Sequence, residues 1–249
     1  MGDANFEALL PPTGHGRVFT VDKKSRIQDI TVDGRIRLDA IARIVSEVSE
    51  DDLVDLDRPN TRWWMARRIT MVVRQEGVGL QQYSCQTWAG SMARVAAERR
   101  VTLVSAEGLA YDTATTWISI DPESGRPVAL PHWFKEEYSE ACGTSQTTVR
   151  ATHGPVVENA DEVLWGLRRV DFDQHGHVNN RAYWPVVEEM MARYDFDRNR
   201  RYRVEVEFRS GVPVAPSVTL RVEHRISGIS IWWVVDDQVA ASATVDYLD

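Results

Sequence analysis

The sequence predicts an α+β protein made of two similar halves, each an antiparallel sheet wrapped around its own central helix. Three observations carry this. Apolar residues recur at helical spacing in two places, as Leu38, Ile41, Ile44, Val45 and Val48 and again as Tyr183, Val186, Val187, Met190 and Met191. Each of these stretches follows a strand-like segment and is followed by several more. The ends of the halves also echo each other: "LAYDTATTWISID" (109–121) can be laid over "VAASATVDYLD" (239–249). A lone helix with a broad apolar face must bury it against a sheet, and pairing the two sheets side by side protects their edge strands.

Taken in order, residues 17–36 alternate and are rich in β-branched types, which suggests one or two strands. The first helix then runs to the acidic residues at 50–52. Segments 61–75, 79–104 and 108–120 read as long strands, 121–125 as a tight turn and 126–130 as a short returning strand. From 132 to 160 the periodicity fades, as expected of a connection. The second half repeats the order with a strand in "EVLWGLRRVDFD", a polar stretch, the second helix, and strands at 202–209, 217–226 and 229–247, the last divided at Asp236 and Asp237. The expected domains are residues 1–135, a linker at 136–160, and residues 161–249.

Composition narrows the function. Of 249 residues 43% are hydrophobic, enough for a core, yet no apolar run reaches the roughly 20 residues that span a bilayer. The N-terminus lacks a basic segment followed by an apolar one, and Phe6 stands where myristoylation of Gly2 wants Ser or Thr. Cys85 and Cys142 fall outside any C-x-x-C spacing and fit reduced thiols. A net charge of −8 argues against nucleic-acid or anionic-membrane binding. The expected setting is the cytoplasm.

Chemistry concentrates in "VDFDQHGHVNNRAYW", residues 170–184. Asp171, Asp173, His175 and His177 are spaced by two, so a straight strand would put all four on one face as a divalent metal site. Gly176 breaks such a strand, and Val178, Asn179 and Asn180 look like a helix start with Asn as N-cap. The stretch also reads as an ordinary polar turn. Its third reading is catalytic: a carboxylate and two imidazoles lie before a helix N-terminus, where free N–H groups favour developing negative charge.

The spelling D-x-x-G-H-V-N-N-x-x-Y, from Asp173 to Tyr183, resembles the signature of hotdog-fold thioesterases. The whole-chain layout is similar to the acyl-acyl carrier protein (ACP) thioesterases of plant plastids and bacteria, tandem hotdogs whose catalytic loop lies in the C-terminal half. The resemblance implies a double hotdog that hydrolyses fatty acyl-ACP to free fatty acid and ACP in fatty acid biosynthesis. It implies no metal or other cofactor and no membrane insertion, and leaves a homodimer open. Its partner would be an ACP carrying an acyl chain on 4'-phosphopantetheine. Asp173 would activate water or orient the base, with His175 and His177 at the same site, and Val178, Asn179 and Asn180 would bind substrate at the helix start. Two positions depart from the family. His175 stands where the plant enzymes have Asn, and their further acid or cysteine falls here on Gly211 or Val212, leaving Glu207 as a weaker candidate. An acyl-CoA thioesterase and a non-catalytic acyl-binding hotdog are the alternatives.

Two further features fit this reading. Arg193, Arg198, Arg200, Arg201 and Arg203 crowd the segment after the second helix, a basic patch suited to an acidic carrier. Trp63, Trp64, Trp88, Trp117 and Met92 are either core or the lining of an acyl tunnel. The first half offers Asp33 and Gly34 before its helix but no His, as if it shaped the pocket while the second half did the chemistry.

Overall fold

A computed structural model describes residues 12–58, 62–142 and 147–248; the N-terminal residues 1–11 just discussed lie outside them. The first half runs β1 (Phe19–Lys24), α1 (Leu38–Asp55), β2 (Trp63–Val73), β3 (Gln82–Met92), β4 (Ala96–Ser105), β5 (Gly108–Ile120) and α2 (His132–Cys142). The second runs β6 (Asp161–Gly166), α3 (Tyr183–Arg193), β7 (Tyr202–Phe208), β8 (Ser217–Arg225), β9 (Gly228–Val235) and β10 (Gln238–Tyr247). All ten strands join one antiparallel sheet in the order β1-β3-β4-β5-β2-β7-β10-β9-β8-β6. The two halves have the same strand order, mirrored about the β2–β7 seam. This is a tandem hotdog.

The apolar faces of α1 and α3 explain their places. Leu38, Ile41, Ile44, Val45 and Val48 of α1 and Tyr183, Trp184, Val186, Val187, Met190 and Met191 of α3 are buried. They share one core with Val204, Val206 and Phe208 of β7 and Met71 and Val73 of β2. Alternation along β7 sends Tyr202, Val204 and Val206 inward, so Glu205 and Glu207 point to the opposite face.

That outer face carries the lock between the halves. Across the seam Arg68 pairs with Glu207 and Thr70 with Glu205 in register. The Arg68 guanidinium sits 2.5 Å from Glu207 Oε1 and 3.3 Å from Glu205 Oε1, and Thr70 donates to Glu205 Oε2 at 2.7 Å. The chain returning from the first half lies over this pair: Thr152 N–H and His153 N–H donate to Glu207, and His153 Nδ1 meets Ser242 Oγ at 2.9 Å. Burial alone would raise both carboxyls. The His153, Thr70, Arg203 and Arg68 contacts outweigh it at Glu205, and backbone N–H groups with Arg68 and Thr152 do so at Glu207, holding each at about 2.

Several sequence expectations change here. The segment 79–104 is a hairpin of β3 and β4, not one strand. Residues 17–36 hold one strand, β1, within the one or two expected, and then a 3-10 turn at Ile27–Asp29. The returning strand expected at 126–130 is reduced to one bridge between Ile120 and Pro127. The fading periodicity after 132 hid α2, which buries Phe134, Tyr138, Ala141 and Cys142 against β3, so the start of the expected linker belongs to the first half. Nor does the acidic run end α1. Asp52 is fully buried, bonded to Arg17, Arg99 and Tyr138, and the helix continues to Asp55. The split at Asp236 and Asp237 is real; both residues have positive φ, at 47° and 59°, as a tight hairpin turn requires.

Removing one partner of the buried seam pair strands the other, so Arg68→Ala is expected to lower stability by about 3 kcal/mol in urea denaturation. The depressed carboxyls set a second expectation. Their contribution is full above the ordinary value of 4.5 and is lost as pH falls from there through about 2, which acid titration of the unfolding midpoint reads directly.

Candidate active site

The turn between β6 and α3 is built from backbone bonds first. Arg169–Asp171 forms one 3-10 turn, in which buried Asp171 accepts the Arg168 N–H at 2.7 Å and the Arg168 guanidinium at 2.7 Å. Asp173 N–H then bonds the His177 carbonyl at 2.8 Å and Gly176 N–H the Asp173 carbonyl at 3.2 Å. Closing this turn needs φ +76° at Gly176, open to glycine at little cost. Val178 N–H is tied to the Val212 carbonyl and Asn179 N–H to the Asp171 carbonyl, at 2.9 and 2.8 Å.

The sequence-predicted residues fall as follows. Asp173 is half-buried, and its Oδ1 accepts the N–H groups of His175 (2.8 Å) and His177 (3.2 Å), so one carboxylate oxygen holds the turn. His175 is exposed, its ring 4.8 Å from the indole of Trp63. His177 is exposed and lies against Gly211. Asn179 caps the helix start, its Oδ1 accepting Arg181 N–H at 2.9 Å. Asn180 N–H has no acceptor among the described residues. The Val178 side chain joins the core and its N–H is bonded to the Val212 carbonyl. The face-of-strand metal reading also fails, because Asp171 turns away to Arg168. Among the described residues the group close enough to share an ion is His153, Glu205 and Glu207, whose carboxylates are already taken by Arg68, Thr70 and Thr152.

A cleft of about 850 Å³ opens between α1 and the start of α3. Ile69, Met71, Thr113, Thr115 and Trp117 from β2 and β5 form its floor, Ser46 and Ser49 line it from α1, and Asn179, Asn180 and Arg181 close one end. The cleft reaches the helix start and not Asp173, His175 or His177. Of the predicted tunnel aromatics, Trp117 alone lines it. Trp64 packs on Phe134, Trp88 is buried, Met92 joins the α2 cluster and Trp63 supports His175.

The first half contains the same turn without its chemistry, which the sequence reading missed. Arg26 N–H bonds Asp29 at 2.7 Å, Thr31 N–H the Arg35 carbonyl at 2.8 Å, and Arg37 N–H the Asp29 carbonyl at 2.8 Å, with Gly34 at φ +83°. Thr31 thus stands where Asp173 does, Asp33 where His175 does, and Arg35 where His177 does. The repeated Arg-x-x-Asp at 26–29 and 168–171 was the legible signal. Ile36 N–H bonds the Gly77 carbonyl as Val178 N–H bonds that of Val212, so Glu76 holds the place of Gly211. Glu76 is buried and takes Arg35 at 2.8 Å, Arg198 at 2.7 Å and the Tyr202 hydroxyl. Nearby Glu188 of α3 corresponds to Ser46 of α1; burial pushes its carboxyl up to about 7 against the pull of Arg198. Paired charge therefore gathers at the places that correspond to Gly211 and Ser46. The expected basic patch is partly consumed in this way: Arg198 is turned inward, Arg203 contacts Glu205 and Arg200 lies 3.8 Å over the Tyr247 ring.

Fold and site together define a tandem hotdog of the thioesterase type. Residues 16–138 match the acyl-ACP thioesterase N-terminal domain and residues 157–241 the C-terminal domain, and the chain belongs to the acyl-ACP thioesterase family. A solved acyl-ACP thioesterase from Bacteroides thetaiotaomicron is similar in fold at TM-score 0.77 and 14% identity, covering 93% of this chain and 98% of that one. The 12:0-ACP thioesterase from Umbellularia californica is similar at TM-score 0.76 and 14% identity, covering 94% and 98%. An uncharacterized protein of Mycobacterium tuberculosis is 26% identical over 95% of this chain and 94% of its own. No helix among the described residues is long and apolar enough to cross a membrane.

Gly176→Ala forces a Cβ into the left-handed region; the expected cost is about 1 kcal/mol in thermal or urea unfolding.

Proposed function

We propose that this chain hydrolyses fatty acyl-ACP to free fatty acid and ACP. The observation that carries the reading is the seating of the Asp173–His177 turn at the start of α3, beside an open cleft floored by Ile69, Met71 and Trp117. In this reading the acyl chain lies along the cleft floor and the thioester carbonyl faces the Asn180 N–H, which stabilises negative charge as it develops on oxygen. Water attacks the carbonyl carbon and gives its proton to the His177 imidazole. The tetrahedral intermediate expels the phosphopantetheine thiolate, which takes that proton back. Asp173 holds the turn through Oδ1, while Oδ2 makes none of the turn's bonds and is free to accept from the water. His175, set against Trp63, borders the approach to His177. The cytosol is the matching compartment, where buried Cys85 and Cys142 stay reduced.

An acyl-CoA thioesterase is the second reading, favoured by the inward engagement of Arg198 and Arg203, which leaves less basic surface for a carrier protein.

Release of free thiol from acyl-ACPs and acyl-CoAs of several chain lengths separates these. Faster turnover of acyl-ACP is expected, with Asp173→Asn and His177→Ala each lowering kcat by roughly 10²-fold. Wild-type rates from Asp173→Asn would remove Asp173 from the chemistry. Silence toward every thioester would leave an acyl-binding protein.

A further inference from the structure

We propose that Gly211 is a positioning residue for the reaction, its bare Cα forming the seat on which the His177 imidazole rests. The inference depends on the reading of His177 given above.

A glycine is kept for backbone freedom or for space, and the two can be told apart here. Gly176 and Gly34 adopt positive φ, whereas Gly211 is not among the glycines in that region. Conformational freedom therefore gives no reason for a glycine at 211. Space does. A Cβ on Gly211 would fall 2.2 Å from His177 Cδ2, 2.5 Å from Cγ and 2.9 Å from Nε2. Carbon atoms pack at about 3.5 Å or more, so even one methyl group displaces the ring by an ångström or so. The backbones on either side are fastened together by the Val178–Val212 hydrogen bond and the bridge between His177 and Pro213. The imidazole, at the free end of its side chain, is the part that yields.

The first half shows what a side chain does at this place. Glu76 occupies the corresponding position, is buried, and holds Arg35, the counterpart of His177, in an ion pair at 2.8 Å. A carboxylate there captures the loop residue. With glycine instead, His177 is held by contact with a flat surface, and no carboxylate from this segment binds it. The position where the family's further acid was expected thus serves by being empty, and returning an acid to it disturbs the ring.

The test uses Gly211→Ala and Gly211→Glu in the full chain, with Ser210→Ala as a neighbouring control. Each variant is assayed for thiol release, and its histidine ring signals are followed by ¹H–¹³C NMR, that of His177 being assigned through His177→Gln. Both Gly211 variants are expected to fold with a denaturation midpoint near wild type and to shift the His177 ring signal. They should lower kcat by roughly 10²-fold with little change in KM, the signature of a displaced catalytic group. Ser210→Ala should match wild type in all three measurements. An unmoved His177 signal in Gly211→Ala, or wild-type kcat in either Gly211 variant, overturns the proposal. If wild type itself releases no thiol, the hydrolase reading fails alone, and the NMR shift still decides whether Gly211 seats the ring.

Discussion

The β2–β7 seam is the constraint on which the rest of the molecule depends. Six residue pairs run across it, from Arg68 with Glu207 to Val73 with Tyr202. Backbone pairing alone would leave the register open to slippage, and a shift by one residue would turn Val204 and Val206 out and Glu205 and Glu207 into the core. Arg68 prevents this by reaching both carboxylates from the neighbouring strand, and the returning chain at Thr152 and His153 covers them. Desolvating two carboxylates is costly, and a dense set of donors offsets it. Ile69 and Met71, which alternate with Arg68 and Thr70 on the same strand, are consequently fixed as the floor of the cleft.

The candidate active-site turn depends on that fixity at one remove. Its anchors are Val212 and Pro213, just beyond the end of β7, so the strand that joins the halves also sets the height of His177 above the sheet. From the other half, Trp63 at the start of β2 supplies the surface under His175. Elements of both halves thus meet at this turn.

Much of this was legible in the sequence, for physical reasons. Helical spacing at Ile41, Ile44 and Val45, and again at Val186, Val187 and Met190, reflects burial against a sheet and survives any detail of packing. Gly176 marked a turn because few residues tolerate its positive φ, and the Asn residues after it marked a helix start because an Asn side chain can accept from the first N–H groups. What escaped was determined by distant partners. The acidic run at 50–52 read as a solvated helix end, which hid the burial of Asp52; Arg17, Arg99 and Tyr138, scattered along the chain, make that burial tolerable. Arg198 read as surface charge until Glu76 and Glu188 were brought to it. That the Val178 N–H is taken by the Val212 carbonyl was also hidden, because motif letters do not reveal which N–H groups the fold has already used.

The two turns, alike in hydrogen bonding and unlike in chemistry, have a consequence for how such a protein changes over time. Thr31 and Asp173 each offer a side-chain oxygen to the loop N–H groups and Gly34 and Gly176 each take positive φ, whereas Asp33 and Arg35 stand where His175 and His177 do, so the scaffold demands an acceptor and a glycine but leaves the other two letters open. In the first half the same backbone supports a buried ion cluster of Glu76, Arg35, Arg198 and Glu188. The molecule thus carries two copies of one turn, so each letter of the candidate site can be compared with its counterpart in a shared backbone setting.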